Sequence, residues 1–177
     1  MMLYRRASQA GGTYFFTVNI NNRKDTLLTD HINLLRDCVA AVKQRHPFHI
    51  DAMVVLPDHL HSIWTLPEND SAYASRWRMI KASFSRKLPK SEVISQSRLS
   101  RGERGLWQRR YWEHLIRNND DFERHMDYIH FNPVKHGHVG HASEWPYSSI
   151  HRYIQQGWID NDWAASGEID TMCFGER

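Results

Sequence analysis

Cysteine is almost missing from this chain: its 177 residues include two, Cys38 and Cys173. They lie far apart and form no CxxC pair, which excludes a disulfide-stapled scaffold and a cysteine zinc site. They read as free thiols of a cytosolic protein. Long apolar runs are missing too. No stretch approaches the roughly 20 apolar residues that a membrane helix needs. The opening MMLYRRASQAGG has basic residues but no apolar core, so no signal peptide is expected. There is no internal repeat and no low-complexity tract.

What the chain does have is aromatic and basic. Trp, Tyr and Phe number seven each, and hydrophobic residues make up 41%, enough for one packed core. The net charge of +3 hides an uneven distribution. Residues 71–110 carry eleven Lys and Arg against Glu92 and Glu103, a local charge of +9 that leaves −6 for the rest. A basic stretch in an otherwise acidic chain points to a polyanionic partner, and a solvated helix face is the other reading.

Residue patterns give the order β-α-β-β-α-β-α. TYFFTVNI at 13–20 is β-branched and aromatic and reads as a first strand. Thr29 or Asp30 caps a helix that runs to about Arg45, with Ile32, Leu35, Val39 and Val42 at helical spacing. Residues 48–56 and 59–66 form a hairpin around Pro57-Asp58. A basic helix follows at 71–88, striped by Trp77, Ile80 and Phe84, and then a polar segment at 89–105 reads as a mobile loop. A fourth strand is centred on 111–116. The last helix starts at Asn118 or Asn119, and Pro133 should end it near Asn132. The first six elements predict an α+β fold of the ferredoxin-like, split βαβ kind with a central antiparallel sheet, followed by the last helix and a C-terminal helical or loop tail. Residues 1–137 would form the functional domain, and 138–177 a tail packed on it. Such a fold decides nothing about activity.

Two patterns carry chemistry. His59-Leu60-His61 lies in a predicted strand, so both imidazoles project from one face about 7 Å apart while Leu60 points to the core. That spacing suits one divalent cation, and two surface histidines are the other reading. On the last helix, His125, Tyr128 and Asn132 share a stripe beside the apolar Phe122, Met126 and Ile129. Tyr128 can be a nucleophile with Asn132 supplying an amide oxygen to a metal. Alternatively, Tyr128 packs at the core edge and Asn132 caps the helix. Tyr111 is a rival nucleophile, but it has no partner one helical turn away.

The chain resembles the HUH endonucleases, and more closely the REP-associated tyrosine transposases. The resemblance rests on Tyr4-Arg5-Arg6, residues 11–19, VVLPDHLHSIWTLP at 54–67, SRWRMIK at 75–81, LWQRRYWEHLIRN at 106–118, HMDYIHFNPVKHG at 125–137 and WPYSS at 145–149. It implies that His59, His61 and Asn132 bind Mg²⁺ or Mn²⁺ and that Tyr128 forms a covalent 5′-phosphotyrosine. The implied substrate is single-stranded or hairpin DNA of the REP type. Arg5, Arg6, Arg76, Arg78, Lys81, Arg109 and Arg110 are the expected DNA contacts, and His125 an accessory proton carrier. Trp77, Trp107, Tyr111 and Trp112 are candidates for stacking on unpaired bases. A monomer is expected rather than a homodimer, in the cytoplasm at the nucleoid. The alternative from another class is a non-catalytic nucleic-acid-binding module.

Overall fold

The computed structural model describes residues 8–163 and 174–175. Its centre is β1 (Thr13–Asn19), which pairs antiparallel with β3 (His59–Thr65) on one side and β4 (Trp112–Leu115) on the other. Strand β2 (His49–Val55) lies outside β3, which gives the order β2-β3-β1-β4. This is the expected antiparallel split βαβ sheet.

Side chains alternate along a strand, so the sheet has two differently used faces. Tyr14, Phe16 and Val18 of β1, with Leu60 and Trp64 of β3, point to one face. There α2 (Ile32–Arg45) buries Leu35, Cys38, Val39 and Val42, and α3 (Tyr73–Lys87) buries Trp77, Ile80 and Phe84. Phe15, Ala52, Val54 and Ile63 point to the other face. It is covered by α5 (Asn119–Lys135) through Met126, Tyr128 and Ile129.

Local structure departs from expectation in three places. The first helix is split: α1 (Leu27–Asp30) is a single turn, and α2 begins after His31, so neither Thr29 nor Asp30 caps it. Residues 89–105 are pinned rather than free. They include the one-turn α4 (Gln96–Leu99), and Arg104 grips Glu92 through Nε–Oε1 (2.6 Å) and Nη2–Oε2 (2.7 Å). The same guanidinium donates to the carbonyls of Leu88 (2.7 Å) and Pro89 (2.7 Å). Such a bidentate, charge-assisted clasp is among the stronger polar contacts.

The third departure concerns α5. Asn118 caps its start, as expected, by accepting from the Asp121 amide at 2.9 Å. The helix does not stop at Asn132, however, but contains Pro133 and runs to Lys135. Pro133 removes one N–H, yet Asn132 and Pro133 are both buried and packing holds the extra turn in place. Gly137, at φ +70°, ends the helix, with His138 N bonded to Pro133 O and Gly137 N to Val134 O. That is a Schellman stop.

Beyond it come a 3₁₀ turn (Ala142–Glu144) and α6 (Ile150–Gln155). The WPYSS segment between them seals the outer edge of β2. Val55 N bonds to Tyr147 O, Ser149 N to Met53 O, and Trp145 Nε1 donates to Val55 O at 2.9 Å. An open strand edge would otherwise invite pairing with another chain.

Trp77 is fully buried and stacks on Trp64 at 4.1 Å and 16°. It is therefore core and cannot stack on DNA. Trp77→Ala should lower stability by about 3–5 kcal/mol in urea unfolding. An unchanged midpoint would place Trp77 back among the surface aromatics.

Candidate active site

The site lies on the α5 face of the sheet, where β1, β3 and β4 offer alternate residues. His59 and His61 are both buried, and their rings stand 5.0 Å apart at 82°. A cation bound by an imidazole lies in the ring plane, and two nearly perpendicular planes can share such a point. Each ring is oriented by a neighbour. Asp58 Oδ1 lies 2.7 Å from His59 Nδ1, so that nitrogen carries the proton and Nε2 keeps its lone pair. His59 Nε2 is buried and has no hydrogen-bond partner among the described residues. Thr17 Oγ1 donates to the Phe174 carbonyl, which leaves it to accept from His61 Nδ1 at 2.8 Å. His61 therefore also carries its proton on Nδ1, and its lone pair is on Nε2. Carboxylate and hydroxyl partners of this kind fix the tautomer of metal-binding histidines.

Burial keeps both rings neutral. Loss of solvent pushes His59 down to about 4, against the pull of Asp58, and takes His61 well below its ordinary value. Asp58 stays below its usual range: burial raises it, but the bond from His59 and the charge of Arg23 outweigh that.

Tyr128 comes from α5 and meets this pair directly. Its ring lies 5.2 Å from His61, edge to face, and is fully buried. Its hydroxyl accepts from Lys135 Nζ at 3.3 Å and from the Phe174 amide at 3.3 Å. Lys135 Nζ also sits 4.6 Å from the centre of the Tyr128 ring. Asn132, one turn beyond Tyr128, is buried on the same helix. The His136 ring lies 5.1 Å from that of His59. Tyr111 packs on the other face of the sheet, 6.2 Å from Trp77, so the sheet separates it from the histidines.

His125 is buried on the same α5 stripe, and one of its ring nitrogens is taken up locally. Its Nδ1 bonds the Asp121 carbonyl at 2.7 Å. Asp121 also takes His114 Nε2 at 2.8 Å and the Arg117 amide at 3.0 Å. The ligand atoms of His114, Asp121 and His125 lie within 4.8 Å of one another. Yet the two rings are stacked, only 15° from parallel with centroids 4.8 Å apart, so their planes meet far from both rings and one cation cannot lie close to both planes within bonding reach. This trio is better suited to a hydrogen-bonded tie between β4 and α5 than to a cation.

The expected DNA contacts divide. Arg5 and Arg6 lie outside the described residues. Arg76 must be withdrawn: it is 2% exposed and donates to His46 O, Pro47 O and both oxygens of Asp70. A guanidinium so engaged is structural. Arg78, Arg109 and Arg110 are exposed. Lys81 donates to Gln108 O at 2.8 Å. Arg78, Lys81, Arg86, Arg98, Arg101 and Arg109 line a cleft of about 960 Å³ between α3 and residues 98–111. Trp107 is core, with Nε1 bonded to Ser85 Oγ, while Trp112 is only partly buried.

Sequence reasoning missed Thr17, Lys135, His136 and Phe174. The register of β1 on β3, which sets Thr17 opposite His61, holds the signal for the first. Lys135 and His136 lie beyond Pro133, where the proline rule would end the helix. Among the described residues, no helix is long and apolar enough to cross a membrane.

Two oriented histidines and a buried tyrosine thus meet on the α5 face of the split βαβ sheet, and a basic cleft lies beside α3. Residues 9–132 match the family model described as IS200-like transposase. The chain belongs to that family of DNA-cleaving and rejoining enzymes, and within it to the REP-associated tyrosine transposases. It is 46% identical to a REP-associated tyrosine transposase of Escherichia coli K12, over 100% of this chain and 98% of the relative. It also superposes on a REP-associated tyrosine transposase solved with a REP hairpin, with a TM-score of 0.85 and 45% identity, covering 100% of this chain and 98% of that one.

A buried neutral histidine away from the site gives a clean pH test. His130 bonds Ser149 Oγ at 3.0 Å, and burial takes it from 6.5 to about 3. The unfolded chain binds more protons in that window, so stability is full above about pH 6.5 and falls as pH drops towards 3. His130→Gln should flatten this part of the unfolding profile. An unaltered slope would mean that His130 is already charged in the folded protein.

Proposed function

We propose that this chain cuts and rejoins single-stranded DNA at the foot of a hairpin, with Tyr128 as the nucleophile. The observation that carries the reading is the meeting of two oriented, neutral imidazoles and Tyr128 in one buried cluster. The donor set fits a divalent cation: His59 presents a buried nitrogen with no protein partner among the described residues, and Asp58 and Thr17 hold the two rings. His59, His61 and Asn132 would hold Mg²⁺ or Mn²⁺, which supplies charge stabilisation at the scissile phosphate.

The residues themselves account for the rest. Tyr128 gives up its hydroxyl proton as Oη forms the new O–P bond, the bond from phosphorus to the 3′ oxygen breaks, and the departing 3′ oxygen takes up one proton as a hydroxyl. Lys135, already donating to Oη, stabilises negative charge on that oxygen. The 5′-phosphotyrosine keeps the energy of the broken phosphodiester. A 3′-hydroxyl can then attack it and restore Tyr128, so rejoining needs no nucleotide cofactor.

The hairpin is suggested by the related protein solved with a REP hairpin. In this chain the cleft formed by α3 and residues 98–111 would take the backbone phosphates. Asn19 links cleft and site, because its amide reaches both Gln108 (3.4 Å) and Gly175 (3.1 Å). One chain holds the full residue set, which favours action as a monomer.

Tyr128→Phe should retain hairpin binding but give no covalent protein–DNA adduct on a denaturing gel with Mn²⁺ or Mg²⁺. An adduct at the normal rate would exclude Tyr128. Replacing Arg78, Arg86 and Arg101 by Gln should weaken binding of all hairpins. The salt slope should also fall by about one for each phosphate that is no longer neutralised. A slope equal to that of the native chain would put the DNA elsewhere.

A further inference from the structure

Phe174 reaches the site from the C-terminal end of the chain and fills a recess beside the nucleophile. Its ring lies within 24° of parallel to Trp112 (5.6 Å) and within 28° of parallel to His125 (4.5 Å). It meets Tyr128 edge to face at 4.8 Å and Phe15 at 5.7 Å. The main chain beside the ring is held as closely. Thr17 Oγ1 donates to Phe174 O, and Asn19 Nδ2 donates to Gly175 O at 3.1 Å. Gly175 has φ +76°, and a Cβ there would fall 2.5 Å from Trp112 Cβ. The recess thus accepts a flat ring against two aromatic faces, with hydrogen-bond donors for oxygens that run alongside.

A nucleotide has the same parts: a flat base, and sugar–phosphate oxygens that only accept. We propose that this recess seats the unpaired base next to the phosphate that Tyr128 attacks. Trp112 and His125 are its stacking faces, and Thr17 and Asn19 donate to the backbone oxygens. Phe174 occupies the base position in this structure. The proposal rests on Tyr128 being the nucleophile. It gives His125 a task that its geometry allows: Asp121 holds the ring edge, and both His114 and Phe174 lie nearly parallel to the ring. Stacking on an aromatic face tolerates any base, so the seat fixes where the strand lies rather than which sequence is cut.

The test uses the full chain with Phe174→Ala and a hairpin oligonucleotide carrying 2-aminopurine on either side of the bond that is cut. Binding should quench the fluorophore at one of the two positions, more strongly than in the native chain, where Phe174 competes. Trp112→Leu should lessen the quench. An abasic nucleotide at the quenched position should lower affinity by about tenfold. Absence of a quench at both positions, or abasic strands that bind and react like intact ones at both, would overturn the proposal. Loss of the covalent adduct with intact DNA would instead count against Tyr128 as nucleophile, because the quench reports on the seat without cleavage.

Discussion

The two-residue repeat of β1 and β3 is the constraint on which the rest depends. Their register pairs Thr17 with His61 and Asn19 with His59. Odd-numbered residues of both strands therefore face α5, and even-numbered ones face α2 and α3. A slip of one residue would turn His59 and His61 into the tryptophan core and expose Leu60 and Trp64 on the site face. Such a slip is opposed by the fully buried Tyr14, Phe16, Leu60 and Trp64. The hydrophobic effect on one face thus sets the positions of the polar groups on the other.

That arrangement is costly in solvation, and the protein offsets the cost locally. Each buried histidine keeps its charge off and one nitrogen occupied. Asp58 serves His59, Thr17 serves His61, Asp121 serves His125 and Ser149 serves His130. The partners come from a hairpin turn, a neighbouring strand, the preceding helical turn and the edge-sealing segment. Four unrelated local structures thus produce one outcome, a neutral imidazole with one nitrogen hydrogen-bonded.

The sheet, the hairpin and the long helices were legible in the sequence because their periods are regular and their turns are marked by Pro, Gly and Asn. The pairing of His59 with His61, and the face shared by Tyr128 and Asn132, followed from the same periods. Arg76 was misread because charge does not reveal direction: its guanidinium is held by nearby Asp70 and ties α3 to residues 46–47, a segment distant in the chain. Pro133 was misread because a local rule met a stronger packing demand. Phe174 could not be placed at all, since it joins the site across more than 150 residues from Thr17.

Pro133 has one more consequence. A helix fixes the distance between residues four apart through the bonds that bridge them. Pro133 has no N–H to offer the Ile129 carbonyl, so the ladder lacks the rung from Pro133 back to Ile129, one residue past the step from Tyr128 to Asn132. The stretch of α5 that carries Tyr128 is therefore joined to the Asn132–His136 turn by a softer spring than ordinary helix. The turn beyond Tyr128 therefore depends on the packing of the buried Asn132 and Pro133 more than on the helix's own ladder.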